Sequence, residues 1–520
     1  MAYSYQEFAY TPPPALKGAP DGPHQVLIVG AGPIGLAMAI DLALRGIASV
    51  VADDNNVVSV GSRAICWAKR TLEIFDRLGV GRRMVNKGVT WKLGRLYRGE
   101  REVYSFDLLP EDGHQMPAFI NLQQYYVEEY LIDRARAFPE LIDLRFKNKL
   151  LGLTQTDDGV VAELDTPDGT YHLEASYLLA CDGANSTVRR TMGLDFAGKL
   201  FEERFLITDI VMKADFPSER RFWFEPPFHA GQSALLHKQP DDIYRIDLQL
   251  GWDADPEEER KPENVIPRIE RMVGERPFEI DWVSVYTFQC RRLDRFVHDR
   301  VIFVGDSAHI VSPFGARGGN GGIQDVDNLA WKLAAVLEGT AGPGLLESYD
   351  QERTFGADEN IMNSSRSTNF MSPKPGAEAL FREAVLDLAA KAPFARLMVN
   401  SGRLSVPCVL EHSALNGADA DGLPAISRPG AALPDAPVGD GWLLNQLGEG
   451  FTLLFVESDL QSMDGLKSLF LKADDTVRAR LLGPADSAVY LMRPDQHVAA
   501  RWRAFDADEI SAAHRTAMGF

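Results

Sequence analysis

Residues 301–310 read VIFVGDSAHI, and residues 313–322 read PFGARGGNGG. The apolar start predicts a buried strand that ends in the polar turn Gly305–Asp306, and the glycines open a helix predicted over 323–337. An acid at the end of a strand can accept hydrogen bonds from sugar hydroxyls, while glycines let backbone amides approach a ligand at a helix N-terminus. The stretch therefore indicates a site for a polyhydroxylated, phosphate-bearing cofactor.

A second nucleotide signature lies near the N-terminus. A predicted strand over 25–29 is followed by GAGPIG at 30–35, a predicted helix over 36–44, and a strand over 48–52 that ends at Asp53. In such a βαβ unit the first glycine makes the turn, the second admits a pyrophosphate, and the third lets the helix pack on the strand. The acid binds the ribose of an adenosine. Both signatures together predict one nucleotide held by distant parts of the chain.

Composition limits the classes of function. The chain has 520 residues, a formal net charge of −20 and 45% apolar residues, which predicts two or three domains with large cores. The acidic balance argues against nucleic acid or an anionic membrane as the main partner, although a local pocket can still bind a small acidic substrate. No stretch predicts a membrane-spanning helix or a signal peptide. Four cysteines far apart, with no CxxC, predict neither a disulfide framework nor a metal site, and favour a reducing cytoplasm.

The nucleotide-binding elements are interrupted by sheet-rich sequence. After a predicted helix over 63–78 the sequence is β-rich to about residue 119, a helix is predicted over 123–137, and a strand over 176–180 ends in Asp182–Gly183. Alternating polar and apolar residues over 200–290 predict an antiparallel sheet that covers the cofactor and shapes a substrate cavity.

The last third of the sequence contains a helical segment followed by a segment with mixed helix and strand patterns. Residues 345–390 are predicted to be mainly helical, and residues 430–520 to form a separate small α/β domain. In that domain we expect a strand over 451–456, a helical stretch after it, and a strand–turn–strand hairpin over 488–502.

Three motifs, in this order, resemble those of the flavoprotein aromatic hydroxylases, the single-component FAD monooxygenases built on the para-hydroxybenzoate hydroxylase fold. They are GAGPIG with Asp53, CDGANSTVR at 181–189, and GDSAH with PFGARGGNGGIQD and NLAWKL within 305–333. The resemblance covers residues 25–375. The tail is similar to the thioredoxin-like C-terminal domain of the phenol hydroxylase and 3-(3-hydroxyphenyl)propionate hydroxylase branch. It lacks CxxC, so we expect a packing role rather than thiol–disulfide chemistry.

The resemblance implies an α/β fold: a Rossmann-like FAD-binding domain interleaved with a β-sheet substrate domain, plus the small thioredoxin-like domain. The expected boundaries are an N-terminal arm at 1–24, the FAD-binding domain at 25–90, 120–195 and 291–390, the substrate domain at 91–119 and 196–290, a linker at 391–429, and the C-terminal domain at 430–520.

The resemblance also assigns the cofactor contacts. It implies that Asp182 lies near the pyrophosphate, that Asp306 binds the ribityl hydroxyls, and that Pro313 lies beside the reactive flavin carbon. By the same resemblance, NAD(P)H would serve as a transient electron donor, and reduced FAD would react with O2 to give a C4a-hydroperoxide that transfers an oxygen atom to an electron-rich ring. The expected cofactor-binding residues are Gly30, Gly32, Gly35, Asp53, Arg63, Gln124, Asp182, Gly305, Asp306, Gly318, Gly319, Asn320 and Gly321.

The sequence leaves the residues that hold the substrate open. The expected partners are a small aromatic compound and O2, with a homodimer as a further expectation and no metal. Only every second residue of a strand can face the cavity, and His309 is expected to have a structural hydrogen-bonding role rather than that of a general base. The candidates on the predicted sheet are Tyr286, His237, Trp223, Arg221 and Tyr104, of which Tyr286 and His237, with Pro313, are taken as candidate catalytic residues.

Three other functions compete with phenol hydroxylation. The same fold could perform Baeyer–Villiger insertion, epoxidation or other oxygenation of a polycyclic natural product, because fold does not fix the substrate. A flavin-binding scaffold or redox sensor is disfavoured by the intact glycine-rich stretch at 315–322. A simple nicotinamide dehydrogenase is disfavoured because Asp182–Gly183 and Gly305–Asp306 would then have no role.

Overall fold

The computed structural model describes residues 3–251, 253–399 and 404–520. Residues 1–2 of the predicted arm and 400–403 of the predicted linker lie outside the described residues, as do the side chains of 199–203. Within these ranges no helix combines the length and apolar composition needed to cross a bilayer.

A mixed sheet, here called the cofactor sheet, forms one core of the molecule. Its parallel strands are rich in branched apolar residues because both of their faces are buried. Val29 pairs in register with Ala52 on one side and Ala180 on the other, and Ala180 pairs with Phe303. Ile142–Phe146 also pairs in parallel with Ser49–Asp53, so all five parallel strands end in one layer. In spatial order the strands are Val297–His298, Val301–Phe303, Gly169–Ala180, His24–Val29, Ser49–Asp53 and Ile142–Phe146, with Val160–Thr166 and Lys149–Gln155 added antiparallel beside Gly169–Ala180.

A second mixed sheet, here called the cleft sheet, lies beside the glycine-rich stretch. Alternate residues of its strands belong to two separate apolar clusters. The outer face packs against the helix Pro262–Val273, and the inner face, which carries Phe205, Phe222 and Phe288, packs against Phe314. In order the strands are His309–Ile310, Glu279–Arg292, Ala197–Val211, Ile243–Gln249, Ser233–Lys238, Arg220–Phe224, Leu93–Arg98 and Arg101–Asp107.

The antiparallel sheet predicted over 200–290 is confirmed for the strands within that range, and the first insertion joins its edge through a parallel pair that was not predicted. Arg220–Phe224 pairs in parallel with Leu93–Arg98. The pairing joins the two sheet-rich insertions, which are separated in sequence by nucleotide-binding elements, so no hairpin constrains their direction.

Two helix boundaries also differ from the prediction. The helix expected over 63–78 begins only at Lys69, because Cys66–Ala68 forms a strand paired antiparallel with Phe119–Asn121, which in turn pairs with Val89–Trp91. The helix expected from residue 323 starts at Gly318, so the glycines form its first turn. We call Gly318–Leu337 the glycine-rich helix.

Helices cover the cofactor sheet and connect it to the rest of the chain. The α-helices are Pro33–Leu44, Lys69–Arg77, Gly81–Lys87, Gln124–Ala135, Thr187–Thr191, Pro256–Glu259, Pro262–Val273, Gly318–Leu337, Leu345–Met371, Ala377–Ala389, Pro393–Val399, Leu443–Gln446, Asp475–Val477 and Ala507–Ala517. Shorter helical turns are Pro14–Lys17, Pro227–His229, Gly305–Ser307, Ala425–Ser427 and the π-helical turn Arg478–Leu482.

The C-terminal region has its own four-stranded sheet. In order the strands are Lys467–Leu471, Thr452–Val456, Ala488–Met492 and Val498–Trp502, with the first pair parallel and the others antiparallel, and Pro437–Val438 pairs separately with Gly441–Trp442. The helical stretch expected directly after Val456 is wrong: bends and a turn lead into the strand Lys467–Leu471.

A buried ionic cluster, which we call the docking turn contact, joins this region to the nucleotide-binding core. Arg493 donates to both carboxylate oxygens of Glu352 at 2.6 and 3.0 Å and to Asp495 at 2.5 and 3.0 Å. Lys332 of the glycine-rich helix donates to Glu352 at 2.7 Å, and Arg70 donates to the backbone oxygen of Asp495 at 2.8 Å. Charges this deeply buried are tolerated only when each has a partner. The two regions therefore depend on each other.

Candidate active site

The end of the first strand forms a glycine turn with one open position. Gly30 has a φ of +109°, and a Cβ there would lie 2.5 Å from the backbone oxygen of Cys181. A Cβ on Gly35 would lie 1.9 Å from the oxygen of Gly30, whereas one on Gly32 would meet nothing within 4 Å. Packing thus explains Gly30 and Gly35. Gly32 borders free space at the N-terminus of the helix Pro33–Leu44, which has no side-chain cap.

Asp53 supports this turn from the neighbouring strand. Its carboxylate accepts from the amide of Ala31 at 2.6 Å and from the amide of Asn55 at 2.8 Å. Burial raises the pKa of Asp53, and the two amide contacts oppose that change. Each carboxylate oxygen can accept a further bond, so the residue can hold the turn and bind a ribose hydroxyl.

Asp182 lies at the end of the adjacent strand. Its Oδ2 accepts from the amides of Thr187 and Val188 at 2.7 and 3.0 Å, which fixes the start of the helix Thr187–Thr191. Its Oδ1 is buried and has no partner among the described residues. A buried acceptor without a partner is costly, which indicates that a ligand supplies the missing donor.

The carboxyl group of Asp306 resembles Asp182 Oδ1 in lacking a hydrogen-bond donor among the described residues. Within the described ranges its carboxyl group forms no hydrogen bond, and burial raises its pKa, while the positive field of His309 lowers it and Asp325 raises it. A carboxylate in this setting can accept bonds from the hydroxyls of a polyol.

Asp325 supports the turn Gly305–Asp306 and was not identified in the sequence analysis. It accepts from the amide of Gly305 at 3.0 Å, from His309 at 2.6 Å and from Arg353 at 2.6 Å. His309 and Arg353 keep the pKa of Asp325 low despite complete burial. His309 thus makes the structural contact that we expected. Asp325 lies in GGIQD and Arg353 lies in QER at 351–353, but the sequence does not show that these side chains meet.

The N-terminus of the glycine-rich helix also lacks a side-chain cap. The amide of Gly321 donates to the oxygen of Arg317 at 2.7 Å, so the amides left for an acceptor belong to the first turn, with Gly318 and Gly319. Asn320 instead clamps the backbone: its Oδ1 accepts from Ala68 at 2.9 Å, and its Nδ2 donates to the oxygens of Cys66 and Ala316 at 2.9 and 2.6 Å.

Arg63 and Gln124 lie together at the loop 59–64. Both ends of the Gln124 amide are engaged by protein, because Oε1 accepts from Ala64 at 3.1 Å and Nε2 donates to Ser59 and Glu128 at 3.0 and 2.8 Å. Arg63 is exposed, and its backbone oxygen accepts from Arg245 at 3.0 Å. Gln124 therefore supports the loop, and Arg63 keeps its side chain open to the cleft.

Because successive residues of a strand point to opposite faces, the substrate candidates lie on two different faces of the cleft sheet. Tyr286 and His237 share the inner face of the cleft sheet with Phe288 and Leu235, and Tyr104 belongs to the same apolar cluster. Trp223 packs with the outer cluster and stacks on Tyr97 at 5.3 Å, so it does not face the cleft. Arg221 follows the same alternation outward and pairs with Glu219 at 2.8 Å.

The inner-face candidates differ in exposure and charge. The Tyr286 side chain is 40% exposed, and burial together with the nearby Asp306 raises its pKa to about 12, so its hydroxyl stays protonated. His237 is buried, its Nδ1 has no partner in the described part of the chain, and burial with the charges of Arg220 and Arg245 lowers its pKa. Pro313 is exposed next to the anchored Phe314.

These features fit FAD without further adjustment. Two helix N-termini lack side-chain caps, space lies above Gly32, and among the described residues neither Asp182 Oδ1 nor the Asp306 carboxyl group has a hydrogen-bond donor. Helix N-termini suit the pyrophosphate, and carboxylates suit sugar and polyol hydroxyls.

A family model described as "FAD binding domain" matches residues 23–364. The chain belongs to this family. It is a flavin-dependent monooxygenase whose cofactor is FAD, with NAD(P)H as the electron donor typical of the family.

Similar proteins carry out several oxygenations. A 3-(3-hydroxy-phenyl)propionate/3-hydroxycinnamic acid hydroxylase of Mycobacterium avium is 29% identical over 81% of this chain and 72% of its own length. A 12-dehydrotetracycline 5-monooxygenase/anhydrotetracycline 6-monooxygenase of Streptomyces rimosus is 30% identical over 70% of this chain and 73% of its own. The crystal structure of the flavin-dependent monooxygenase PieE with FAD and substrate covers 96% of this chain and 99% of its own at a TM-score of 0.79 and 22% identity, a similarity of fold.

Proposed function

We propose that this monooxygenase hydroxylates a phenolic or related aromatic compound with NAD(P)H and O2 as co-substrates. The observation that carries the proposal is the aromatic inner face of the cleft sheet. Phe205 stacks on Phe288 at 4.8 Å, and Phe288 meets Phe314 edge-to-face at 5.1 Å, directly beside the exposed Pro313. These rings form the packed floor beneath the cleft, and the side chains left open above them, Tyr286 and Pro313, suit a flat aromatic ligand next to the cofactor loop.

We also propose a set of cofactor contacts, which the geometry of the site supports. Gly30, Gly32, Gly35, Asp53 and Asp182 would hold the ADP half of FAD. The ribityl chain and ring would be held by Arg63, Gln124, Gly305, Asp306, Gly318, Gly319, Asn320 and Gly321, with Gln124 and Asn320 acting through the loops that they support. Bound FAD supplies the redox chemistry, accepting hydride from NAD(P)H and activating O2.

The protein's own groups would orient the substrate and exclude water. We propose that the protonated hydroxyl of Tyr286 donates to an oxygen of the substrate, since its pKa of about 12 keeps it neutral. Neutral His237 would complete the wall opposite Pro313. The apolar cluster behind them excludes water, which protects the oxidising step from a wasteful side reaction.

The test is a screen of phenols with the FAD-loaded protein, following NAD(P)H oxidation, oxygen uptake and product mass. At least one phenol should accelerate NAD(P)H oxidation and gain one oxygen atom derived from O2. Free FAD with NAD(P)H serves as the control for uncatalysed oxidation. If no aromatic compound accelerates the reaction and none gains oxygen, phenol hydroxylation is excluded.

A second candidate function is oxygenation of a polycyclic compound, by Baeyer–Villiger insertion, epoxidation or hydroxylation. It is favoured by the similarity to the anhydrotetracycline monooxygenase over 70% of the chain. Turnover of a tetracyclic substrate with labelled O2, without turnover of simple phenols, would support this function over the first.

Further proposals concern the whole chain. We infer that the domain boundaries given above apply, and that the C-terminal region is thioredoxin-like, which its four-stranded mixed sheet supports. The absence of a disulfide among the four cysteines supports a reducing cytoplasm. A homodimer remains our expectation, to be checked by light scattering.

A further inference from the structure

Pro313 is an exposed residue between two buried neighbours. Ser312 is 0% exposed and Phe314 is 4% exposed, whereas Pro313 is open to solvent. A proline has no amide hydrogen to donate. The carbonyl oxygen of Pro313 accepts from the amide of Ala316 at 3.1 Å, which closes a tight turn. Within residues 312–317, here called the proline loop, the position of Pro313 therefore depends on the contacts that hold Ser312 and Phe314.

Ser312 is held from two sides. Its amide donates to Sγ of Cys290 on the cleft sheet at 3.4 Å, and its hydroxyl lies 2.9 Å from the hydroxyl of Thr368 on the helix Leu345–Met371. The single hydroxyl hydrogen of Thr368 already goes to the backbone oxygen of Ser364 at 2.8 Å. Ser312 is therefore the donor and Thr368 the acceptor. Both side chains are completely buried, so solvent does not replace either partner.

Thr368 belongs to a polar stripe along the helix Leu345–Met371. Side chains seven or four positions apart share one face of a helix. The stripe consists of such residues: Arg353, Asn360, Ser364 and Thr368. One turn before Thr368, Ser364 donates to the backbone oxygen of Phe314 at 3.4 Å, and one turn earlier Asn360 accepts from Arg317 at 3.0 Å. Successive turns of one helix thus hold the proline loop from its first residue to its last.

The turn that the stripe holds is strained. Ala316 has a φ of +54°, in the left-handed region that residues other than glycine rarely adopt. Asn320 donates to the backbone oxygen of Ala316 at 2.6 Å. Such a conformation persists only where the surrounding contacts enforce it, and beside a ligand site it indicates a geometry that the function requires.

We propose that Thr368, acting through Ser312, is the positioning residue that fixes Pro313 beside the flavin, and that it thereby sets how much of the NAD(P)H consumed yields oxygenated product. The inference rests on the proposed function, since it takes Pro313 to lie next to the reactive part of the cofactor. Thr368 itself lies behind the loop, bonded to protein on both sides, so its role is exerted through Ser312.

Two reactions compete at such a site. In the coupled reaction NAD(P)H, a proton, O2 and the substrate give NAD(P)+, the oxygenated product and water. In the uncoupled reaction NAD(P)H, a proton and O2 give NAD(P)+ and H2O2. Oxygen transfer needs the reacting groups in contact and aligned, and water admitted beside the cofactor favours the uncoupled reaction. A loosened proline loop is therefore expected to raise H2O2 formation while NAD(P)H oxidation continues.

The experiment removes either partner of the Ser312–Thr368 bond. Thr368→Val deletes the acceptor and keeps the shape of the side chain, Ser312→Ala deletes the donor, and Thr368→Ser keeps the hydroxyl. Each FAD-loaded variant receives NAD(P)H, O2 and, in separate assays, phenol, resorcinol or 1-naphthol, and both product and H2O2 are quantified. Thr368→Val and Ser312→Ala should raise the ratio of H2O2 to product about threefold to tenfold, as expected for one ordinary hydrogen bond. Thr368→Ser should keep the wild-type ratio.

The visible circular dichroism of the bound flavin gives a second readout that needs no substrate. It reports the surroundings of the flavin ring, so Thr368→Val and Ser312→Ala should change it and Thr368→Ser should not. Thr354→Val is the matched control on the same helix. The Thr354 hydroxyl also donates to a backbone oxygen one turn earlier, that of Asp350 at 2.7 Å, but within the described ranges it meets no residue of the proline loop. This control should keep the wild-type ratio and spectrum.

The proposal is overturned if Thr368→Val and Ser312→Ala keep the wild-type flavin spectrum and ratio of H2O2 to product. It is also overturned if Thr354→Val changes both as much, because the effect would then belong to the helix in general. A wild type that oxygenates none of the three phenols counts against the proposed function alone, and the flavin spectrum of the variants then decides the inference.

Discussion

Asp306 is a carboxyl group that folding buries before any ligand arrives. Replacing it by asparagine removes a costly charge from the empty site but also removes the strongest acceptor for the ribityl hydroxyls. We expect Asp306→Asn to bind FAD about tenfold to a hundredfold more weakly, with the melting temperature of the apoprotein unchanged or raised. FAD fluorescence titration and the ratio of flavin to protein absorbance measure this.

The exposed Asp54 offers the control for the Asp306 variant. Asp54→Asn removes the same charge near the nucleotide but outside the site, and should leave the FAD affinity at the wild-type value. Full FAD binding by Asp306→Asn would contradict the assignment of this acid to the cofactor.

Asp209 gives a prediction about pH. Its pKa in the folded protein is about 6 against an ordinary value of 3.8, because it is buried. The folded state thus binds the proton of Asp209 more tightly than the unfolded state does. The resulting contribution to the free energy of unfolding is fully present below about pH 4 and is lost as the pH rises through 6. Asn cannot ionise, so Asp209→Asn does not lose stability over this pH range. At pH 7.5 the variant should be more stable by up to about 3 kcal/mol, and at pH 4 the difference should disappear.

Urea unfolding at pH 4, 6 and 7.5 measures the free energy of unfolding of Asp209→Asn and the wild type. Gln239 donates to Asp209 at 3.3 Å, and the asparagine oxygen can still accept that bond. A variant that is less stable than the wild type at pH 7.5 would show that the ionised carboxylate pairs with Arg245 strongly enough to outweigh its burial.

At the scale of elements, Gly32 and Gly35 allow one chemical change to be tested in two settings on the same turn. Gly35→Ala places a methyl group against the oxygen of Gly30, and should cost about 1–3 kcal/mol of stability. Gly32→Ala places the same group in open space, so we expect a stability within about 0.5 kcal/mol of the wild type. Its FAD affinity should fall at least tenfold, because the methyl fills the space for the pyrophosphate.

Thermal unfolding of the apoproteins and FAD titration separate the two alanine effects. Equal FAD affinity in Gly32→Ala and the wild type would place the pyrophosphate elsewhere.

Local motifs explain how much of the structure the sequence could predict. GAGPIG and the Asp306 turn depend on residues within a few positions, so their strands and helices could be placed. The strand Cys66–Ala68 could not, because it forms against Phe119–Asn121 and is clamped by Asn320, some 250 residues away. The inner-face charges Arg220, Arg245 and Asp247 were missed for a similar reason: alternation shows two faces but not which one meets the cofactor.

At the scale of the whole molecule, the docking turn contact should decide stability. Arg493→Met leaves Glu352 and Asp495 buried with less compensation, and should destabilise the protein by about 3–5 kcal/mol. Within the described ranges the exposed Arg503 side chain donates only to the backbone oxygen of Asp421, so Arg503→Met should change stability by less than about 1 kcal/mol. Urea unfolding followed by tryptophan fluorescence and by FAD release measures both. A loss below about 1 kcal/mol in Arg493→Met would show that the cluster is dispensable.

The same contact limits how this enzyme can be recombined with its relatives. A chimaera that takes residues 430–520 from another oxygenase would bring a foreign turn to partners that match the original one. In the core, Glu352 accepts from Arg493, Arg70 donates to the backbone oxygen of Asp495, and Lys332 of a third helix holds Glu352 in place. A tail exchange at the apparent domain border should therefore yield unstable protein unless those three core positions are exchanged together with it.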